Sequence, residues 1–282
     1  MTKTWLITGA SSGFGRGMAE RLLSRGDQVI ATVRRQGSLD DLAAQYHDRL
    51  RVVYLDVTDT DGVQAAVNQA FADFNRIDVI VSNAGYGILG TVEETSIDQM
   101  RDIIETNLMG SMVLIKAALP HLRAQGFGRI VQVSSEGGQI AYPGFSLYHA
   151  SKWGIEGFIE SLAKEVQPFD IDFMIVEPGP SRTAFVGSIV LPDPISDYDG
   201  TPAHDLKDAA FGGGWVIKGD PDRMVDAMIT AADAPVMPFR LLLGKDAYAG
   251  VHGALSERLA VLEAGRDVTE AAAFTEEELA AM

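Results

Sequence analysis

Seven short apolar runs recur along the chain, separated by longer amphipathic stretches. They are TWLIT (4–8), QVIATV (28–33), RVVYL (51–55), DVIVS (78–82), RIVQV (129–133), DFMIV (172–176) and RLLLG (240–244). Most are rich in Val and Ile and apolar at consecutive positions, as strands buried on both faces of a parallel sheet are. Between them the spacing predicts helices over roughly 14–25, 38–47, 60–74, 97–124, 148–167 and 220–232. Strands alternating with helices predict an α/β fold: a doubly wound parallel sheet of about seven strands with right-handed crossovers. A chain of 282 residues is long enough for one large domain or two small ones. No linker, repeat or low-complexity break divides residues 1–262, so the reading is a single domain.

Two segments fall outside this rhythm. Residues 180–219 are rich in Pro, Gly and Asp, yet they carry Phe185, Val186, Ile189, Val190, Leu191, Phe211 and Trp215. A connection of that length is usually functional or disordered, and its apolar content favours a lid or pocket wall. Residues 263–282 are Ala- and Glu-rich with helical propensity and read as a C-terminal extension, exposed or bound to a partner.

Composition narrows the function. The chain has 23 Lys and Arg against 39 Asp and Glu, a formal net charge of −16. Such a surface repels phosphate backbones and anionic lipid, which argues against nucleic-acid and membrane partners. No run approaches the ~18 consecutive apolar residues of a membrane span. The start, MTKTWLITGASSG, is not patterned as a secretory signal. The absence of cysteine excludes thiol catalysis, disulfides and thiolate metal sites, and agrees with a cytoplasmic location. If so acidic a chain binds an anionic cofactor, local features must oppose its global field.

TGASSGFGRG supplies such a feature. Gly9, Gly13 and Gly15, with Ser11, Ser12 and Phe14 between them, follow the first strand and open the first helix. Glycines permit a tight turn, and N–H groups at a helix N-terminus hold a pyrophosphate. The G-x-x-x-G-x-G spacing differs from the G-x-G-x-x-G fingerprint, and a glycine turn without a ligand fits the stretch too. At the end of the second strand, Val33 stands where an acid would bind the ribose diol of NAD, and Arg34 and Arg35 follow. No carboxylate is there to repel a 2′-phosphate, and a guanidinium is placed to grip one. The position favours NADP(H), with NAD(H) as the alternative; a solvated Arg pair is the plain reading. Asp56 accepts from an adenine amino group or caps the helix beginning near Thr58 and Asp59. Asn83, in SNAG, stands at the sheet edge where ligands bind or satisfies turn backbone.

SLYHASKWG puts Tyr148 and Lys152 one helical turn apart on one face. With TGASSGFG, Asp56-Val57, Asn83-Ala84-Gly85, Asn107 in TNLMG, Ser135 in VSSEGG and Pro178-Gly179, the pair occurs in an order and spacing that resembles the short-chain dehydrogenase/reductase family over about residues 3–183. The resemblance implies a Rossmann-type three-layer α/β/α fold and NAD(P)-dependent interconversion of a carbonyl and an alcohol on a small molecule. It also implies a homodimer or homotetramer built on the helices at 97–124 and 148–167, and no metal. Tyr148 would be the general acid in reduction and the base in oxidation. Lys152 would lower the phenol's pKa from its ordinary ~10 by its charge and hold the nicotinamide ribose. Ser135 would hold the substrate oxygen, and Asn107 would anchor a water relaying protons to Lys152. The cofactor residues carried over are Gly9, Ser11, Ser12, Gly13, Phe14, Gly15, Arg34, Arg35, Asp56, Val57, Asn83, Ala84 and Gly85. To these the resemblance adds Pro178, Gly179, Ser181 and Thr183 near the nicotinamide carboxamide and the phosphates.

The walls of such a site are residues 137–146 and the 180–219 segment. Ile140, Ala141, Tyr142, Phe145, Phe185 and Trp215 make them mostly apolar, which suits a medium-sized ketone, aldehyde or alcohol. Glu136 is the charge beside Ser135 and is expected to point to solvent. The competing function is a catalytically idle NADP sensor of the same fold, which has no need of Tyr148 and Lys152 together.

Overall fold

The computed structural model describes residues 2–212 and 216–282. Trp215, expected in the pocket wall, lies outside the described residues. All seven apolar runs become strands: β1 (Thr4–Ile7), β2 (Gln28–Val33), β3 (Leu50–Tyr54), β4 (Val79–Ser82), β5 (Gly128–Val133), β6 (Ile171–Pro178) and β7 (Arg240–Leu243). They pair in parallel throughout, in the order β3-β2-β1-β4-β5-β6-β7. Chain order reverses between β1 and β4, so the loops leaving their C-terminal ends diverge and open a crevice there.

The helices between the strands are α1 (Gly13–Ser24), α2 (Asp40–Tyr46), α3 (Thr60–Phe74), α4 (Ile97–Ile104), α5 (Gly110–Gln125) and α6 (Ser146–Val166). Beyond β6 come α7 (Pro202–Phe211), α8 (Pro221–Asp233), α9 (Lys245–Ala264), α10 (Arg266–Ala271) and α11 (Glu276–Ala280). Strand residues alternate between two cores because successive side chains point to opposite faces. Trp5, Ile7, Val29, Val79 and Val131 pack against Met18 and Leu22 of α1 and Met224 and Met228 of α8. Leu6, Ile30, Ile80 and Ile130 face Val63 of α3, Leu114 and Ile115 of α5, and Ile155 and Ile159 of α6. The result is the three-layer arrangement.

The single helix read over 97–124 contains a five-residue π turn, Glu105–Met109, between α4 and α5. That turn buries Asn107, as π turns at functional sites often re-aim a side chain. By length and composition the 29-residue span Ile97–Gln125 is apolar enough to cross a bilayer; its Leu114, Ile115 and Leu122 are core residues under the sheet. Asp59, not Asp56, caps α3 by accepting from Gly62 N, because Asp56 is turned back on Thr58. Two helices were not visible in the spacing. The first, α7, sits inside the segment read as a loop, and the second, α9, has apolar residues spread around its circumference rather than along one stripe. Helix α9 runs through residue 262 without interruption, and α10 and α11 beyond it have no buried residue.

Candidate active site

The glycine loop is shaped by contact with the exit of β4. Gly9 and Gly13 have φ of +67° and +56°, where an L side chain is strained. A Cβ on Gly9 would stand 2.8 Å from Ala84 Cα, so the two loops touch through backbone. Thr8 Oγ1 accepts from the N–H groups of Asn83 and Ala84, and Asn83 Nδ2 donates to the Thr8 and Gly9 carbonyls. Asn83 therefore binds the loops together, the local-backbone role open to it in sequence. Ser12 precedes α1 without capping it by a side-chain hydrogen bond, which leaves first-turn N–H groups available to an anion.

A cleft of about 360 Å³ runs from this loop across the sheet edge. Its wall brings together Gly9, Ser11, Ser12, Gly13, Phe14, Arg34, Arg35, Asp56, Val57, Asn83, Ala84 and Gly85, then Ser135, Tyr148, Lys152, Pro178, Gly179, Ser181 and Thr183. Gly15 and Asn107 lie behind that wall. A Cβ on Gly15 would strike the Asn83 amide 2.6 Å away, so this glycine serves packing beneath the loop. Asn107 Oδ1 accepts from Tyr86 N at 3.0 Å, and its Nδ2 donates to Tyr86 O and Ser151 Oγ at 2.9 and 3.1 Å. Its side chain is spent on holding the 85–86 turn. Thr183 faces Gly13 across the cleft. Arg34 is 73% exposed and 4.0 Å from Asp56, whose carboxyl is held low by the Thr58 N–H and hydroxyl and by Arg34.

Tyr148, in the first turn of α6, is buried among Phe145, His149 and Phe185, with ring centroids 6.0, 6.1 and 5.8 Å away. Lys152 Nζ donates to Val133 O at 3.0 Å and sits 5.6 Å from the Tyr148 ring centre. Burial pushes the Tyr148 phenol up to about 12, with the Ser135 hydrogen bond pulling the other way. Burial also pulls the Lys152 ammonium down to about 8, with the Glu156 charge opposing. Burial thus moves the Tyr148 phenol opposite to the direction expected from Lys152. Desolvation is the largest cause for each, and both residues hold their protons at neutral pH.

The walls differ from expectation in three places. Tyr142, Phe145 and Phe185 line the cleft with Val186 and Ile189 of the same expected wall, joined by Tyr86 and His149, which the sequence reading missed. Ile140 is buried toward α9, where it would meet a Cβ on Gly250 at 3.2 Å, and Ala141 is exposed; neither lines the cleft. Glu136 does not point to solvent. It is 6% exposed, and burial raises its carboxyl to about 7, with Asp246 adding to the rise and the Tyr142 hydroxyl, 3.4 Å from Oε1, opposing it. Its signal in sequence was a lone acid among glycines, which says nothing about α9 and β6 closing over it. Among the described residues no group of three potential metal ligands occurs.

A family model described as short chain dehydrogenase matches residues 3–192. The chain is 40% identical to the oxidoreductase BOA17 of Botryotinia fuckeliana over 89% of its own length and 92% of that protein's. It is 38% identical to human 17-beta-hydroxysteroid dehydrogenase type 1 over 71% of its length, spanning 62% of that protein. Among solved structures, a short-chain dehydrogenase from Streptomyces avermitilis is 39% identical with a TM-score of 0.89, covering 96% of this chain and 98% of that one. One from Burkholderia cenocepacia in complex with NADP is 25% identical with a TM-score of 0.73, covering 93% and 96%.

Proposed function

The chain belongs to the short-chain dehydrogenase family of nicotinamide-dependent oxidoreductases acting on CH–OH groups, and from that premise we propose that it is an NADP-dependent reductase of a medium-sized, largely apolar carbonyl compound. The observation that carries the proposal is the cleft itself. One end is a glycine loop followed by Arg34 and Arg35, and the other is Ser135, Tyr148 and Lys152 under the apolar side chains of Phe145, Phe185, Val186 and Ile189. The glycine cradle and the uncapped α1 suit a pyrophosphate. Arg34, exposed and, among the described residues, held by a long contact to Asp56, is placed to take a 2′-phosphate in place of that carboxylate.

When bound, the nicotinamide supplies or accepts the hydride. The protein's own groups handle the oxygen. Ser135 donates a hydrogen bond to the substrate oxygen and stabilises the charge that develops there. Tyr148, protonated and desolvated, gives its phenolic proton to that oxygen in reduction. Lys152, anchored on Val133 O, keeps a positive charge beside the ring. Asn107 is a positioning residue, fixing Tyr86 and, through Ser151, the first turns of α6. The similarity to a hydroxysteroid dehydrogenase supports an apolar substrate of more than a few carbons.

Comparing kcat/KM with NADPH and NADH, in the wild type and in Arg34→Ala, tests the cofactor. The preference for NADPH should fall about tenfold or more, since a charge-assisted contact of roughly 1.5–3 kcal/mol is lost. An unchanged ratio would return NAD to equal standing. Tight NADPH binding without turnover across a broad ketone panel would favour the idle sensor.

A further inference from the structure

Every other well-buried carboxyl among the described residues has a cation or several N–H groups as partners. Asp27 has Arg25, Asp78 has Arg76, Glu94 has His204, and Glu156 and Glu177 share Arg240. Glu136 is the exception. Its Oε1 has only the long contact to Tyr142, and its Oε2 is buried with no hydrogen-bond partner. A buried polar atom left unpaired is costly, so its retention needs a reason.

Position supplies one. Glu136 follows Ser135 directly and stands in the wall shared by the cleft and a second cavity of about 560 Å³ lined also by Leu206, Ile217 and Leu243. Oε2 lies 3.4 Å from where a Cβ on Gly179 would be, so a glycine there leaves the carboxyl room. The terminal torsion of a Glu side chain is broad, and exchanging the two oxygens disturbs only the Tyr142 contact.

We propose that Glu136 forms a second substrate subsite, where its carboxyl donates a hydrogen bond to a neutral oxygen (carbonyl, hydroxyl or ether) on the part of the substrate remote from the reacting carbon, a reading that rests on the reductase function above. The substrate class is then an apolar oxo-compound bearing a second oxygen. Burial raises the carboxyl to about 7, so a large share of it is neutral, and therefore a donor, near neutral pH. A cationic substrate group is disfavoured because Arg223, Lys218 and Lys245 line the second cavity, and the acids beside them, Asp220 and Asp246, are already paired with Arg223 at 3.3 Å and Lys218 at 3.2 Å.

The test is the ratio of kcat/KM, with NADPH, between matched ketones with and without the second oxygen. Suitable pairs are a decalone against the diketone of the same skeleton, and phenyl alkyl ketones with and without a ring methoxyl. The wild type should favour the oxygen-bearing partner by about three- to tenfold, the worth of one net hydrogen bond. Glu136→Gln, isosteric and still a donor, should keep most of that ratio, and Glu136→Leu should bring it to one or below. Equal ratios in all three proteins would overturn the subsite and leave the reductase standing. A preference for amino ketones that vanishes in Glu136→Gln would overturn the neutral-oxygen assignment in favour of an ionised carboxylate. No NADPH oxidation with any ketone, and no NADP reduction with any alcohol, would overturn the function on which the inference rests.

Discussion

Tyr148 and Lys152 are moved in opposite directions by one cause, removal from water, which penalises the charged form of each. A phenol at about 12 beside an ammonium at about 8 is a loaded proton donor, the starting state that the proposed reduction requires. Tyr148→Phe removes the proton and leaves the ring packed among Phe145 and Phe185. Turnover should fall about 10²–10⁴-fold, the usual worth of a positioned general acid, while NADPH fluorescence titration still reaches saturation. Turnover within tenfold of wild type would assign the acid elsewhere. At the same scale Glu136 shows that a charged residue beside Ser135 can be turned away from bulk solvent by its neighbours.

Elements position these residues by close approach and by helical repeat. Gly9 shows the first, since its turn and the β4 exit touch through backbone. Gly9→Ala adds a Cβ 2.8 Å from Ala84 Cα at a φ of +67°, and should cost about 1–3 kcal/mol. A drop in Tm together with weakened NADPH binding is the expected outcome, and an unaltered Tm would contradict the backbone contact. The second is the face of α6 that carries Tyr148, Lys152 and Glu156 at successive turns. Ser134 Oγ donates to Glu156 Oε1 at 2.6 Å, Arg240 grips Oε2 at 2.7 Å, and the Glu156 charge supports the Lys152 proton. Glu156→Gln keeps the shape and removes the charge. Lys152 should then lose its proton at lower pH, moving the alkaline limb of the kcat/KM profile downward; a limb that does not move would confine Glu156 to packing.

At the scale of the whole molecule, two of the fastenings that hold residues 180–212 to the rest, beside that of Tyr198 to Glu93, bear on their mobility. One is backbone: Leu89 N donates to Val190 O at 3.0 Å and Val190 N to Gly87 O at 2.8 Å. The other is His204 on α7, whose Nε2 is 2.6 Å from Glu94 Oε1 and whose Nδ1 is 3.1 Å from Asp199. Its pKa is raised from 6.5 by the Glu94 hydrogen bond, against burial and with Asp199 adding to the rise and nearby Lys207 opposing it. Glu94 is held at about 2 despite burial, by the N–H groups of Ile195 and Thr91 and by His204. A raised histidine stabilises below its unfolded value and loses that contribution as pH climbs through the folded one. A lowered carboxylate stabilises above its unfolded value and loses that contribution as pH falls toward about 2. The latch is therefore firmest between about 4.5 and 6.5, the two ordinary values. Hydrogen exchange in 195–212 should quicken as pH rises past that window, after correction for intrinsic rates. In His204→Gln the corrected rate should no longer depend on pH there; an unchanged dependence would rule the latch out.

Apart from Ser135, which the family resemblance added to Tyr148 and Lys152, the sequence alone determined the seven strands, their parallel pairing class, the glycine cradle and the shared helical face of that pair. These rest on local physics: periodicity of apolar side chains, positive φ at Gly9 and Gly13, and the i, i+4 repeat of a helix. Tertiary structure decided what depends on distant elements meeting. Asn83 and Asn107 became clamps because loops 8–9 and 85–86 lie against them. Ile140 turned toward α9, a helix with no single apolar stripe to betray it. Tyr148 and Lys152 were shifted by desolvation rather than by each other, and Glu136 was enclosed by Gly179, Tyr142 and α9. Burial is a sum over residues far apart in the chain, and for a charged group that sum sets its protonation state and hence its chemistry.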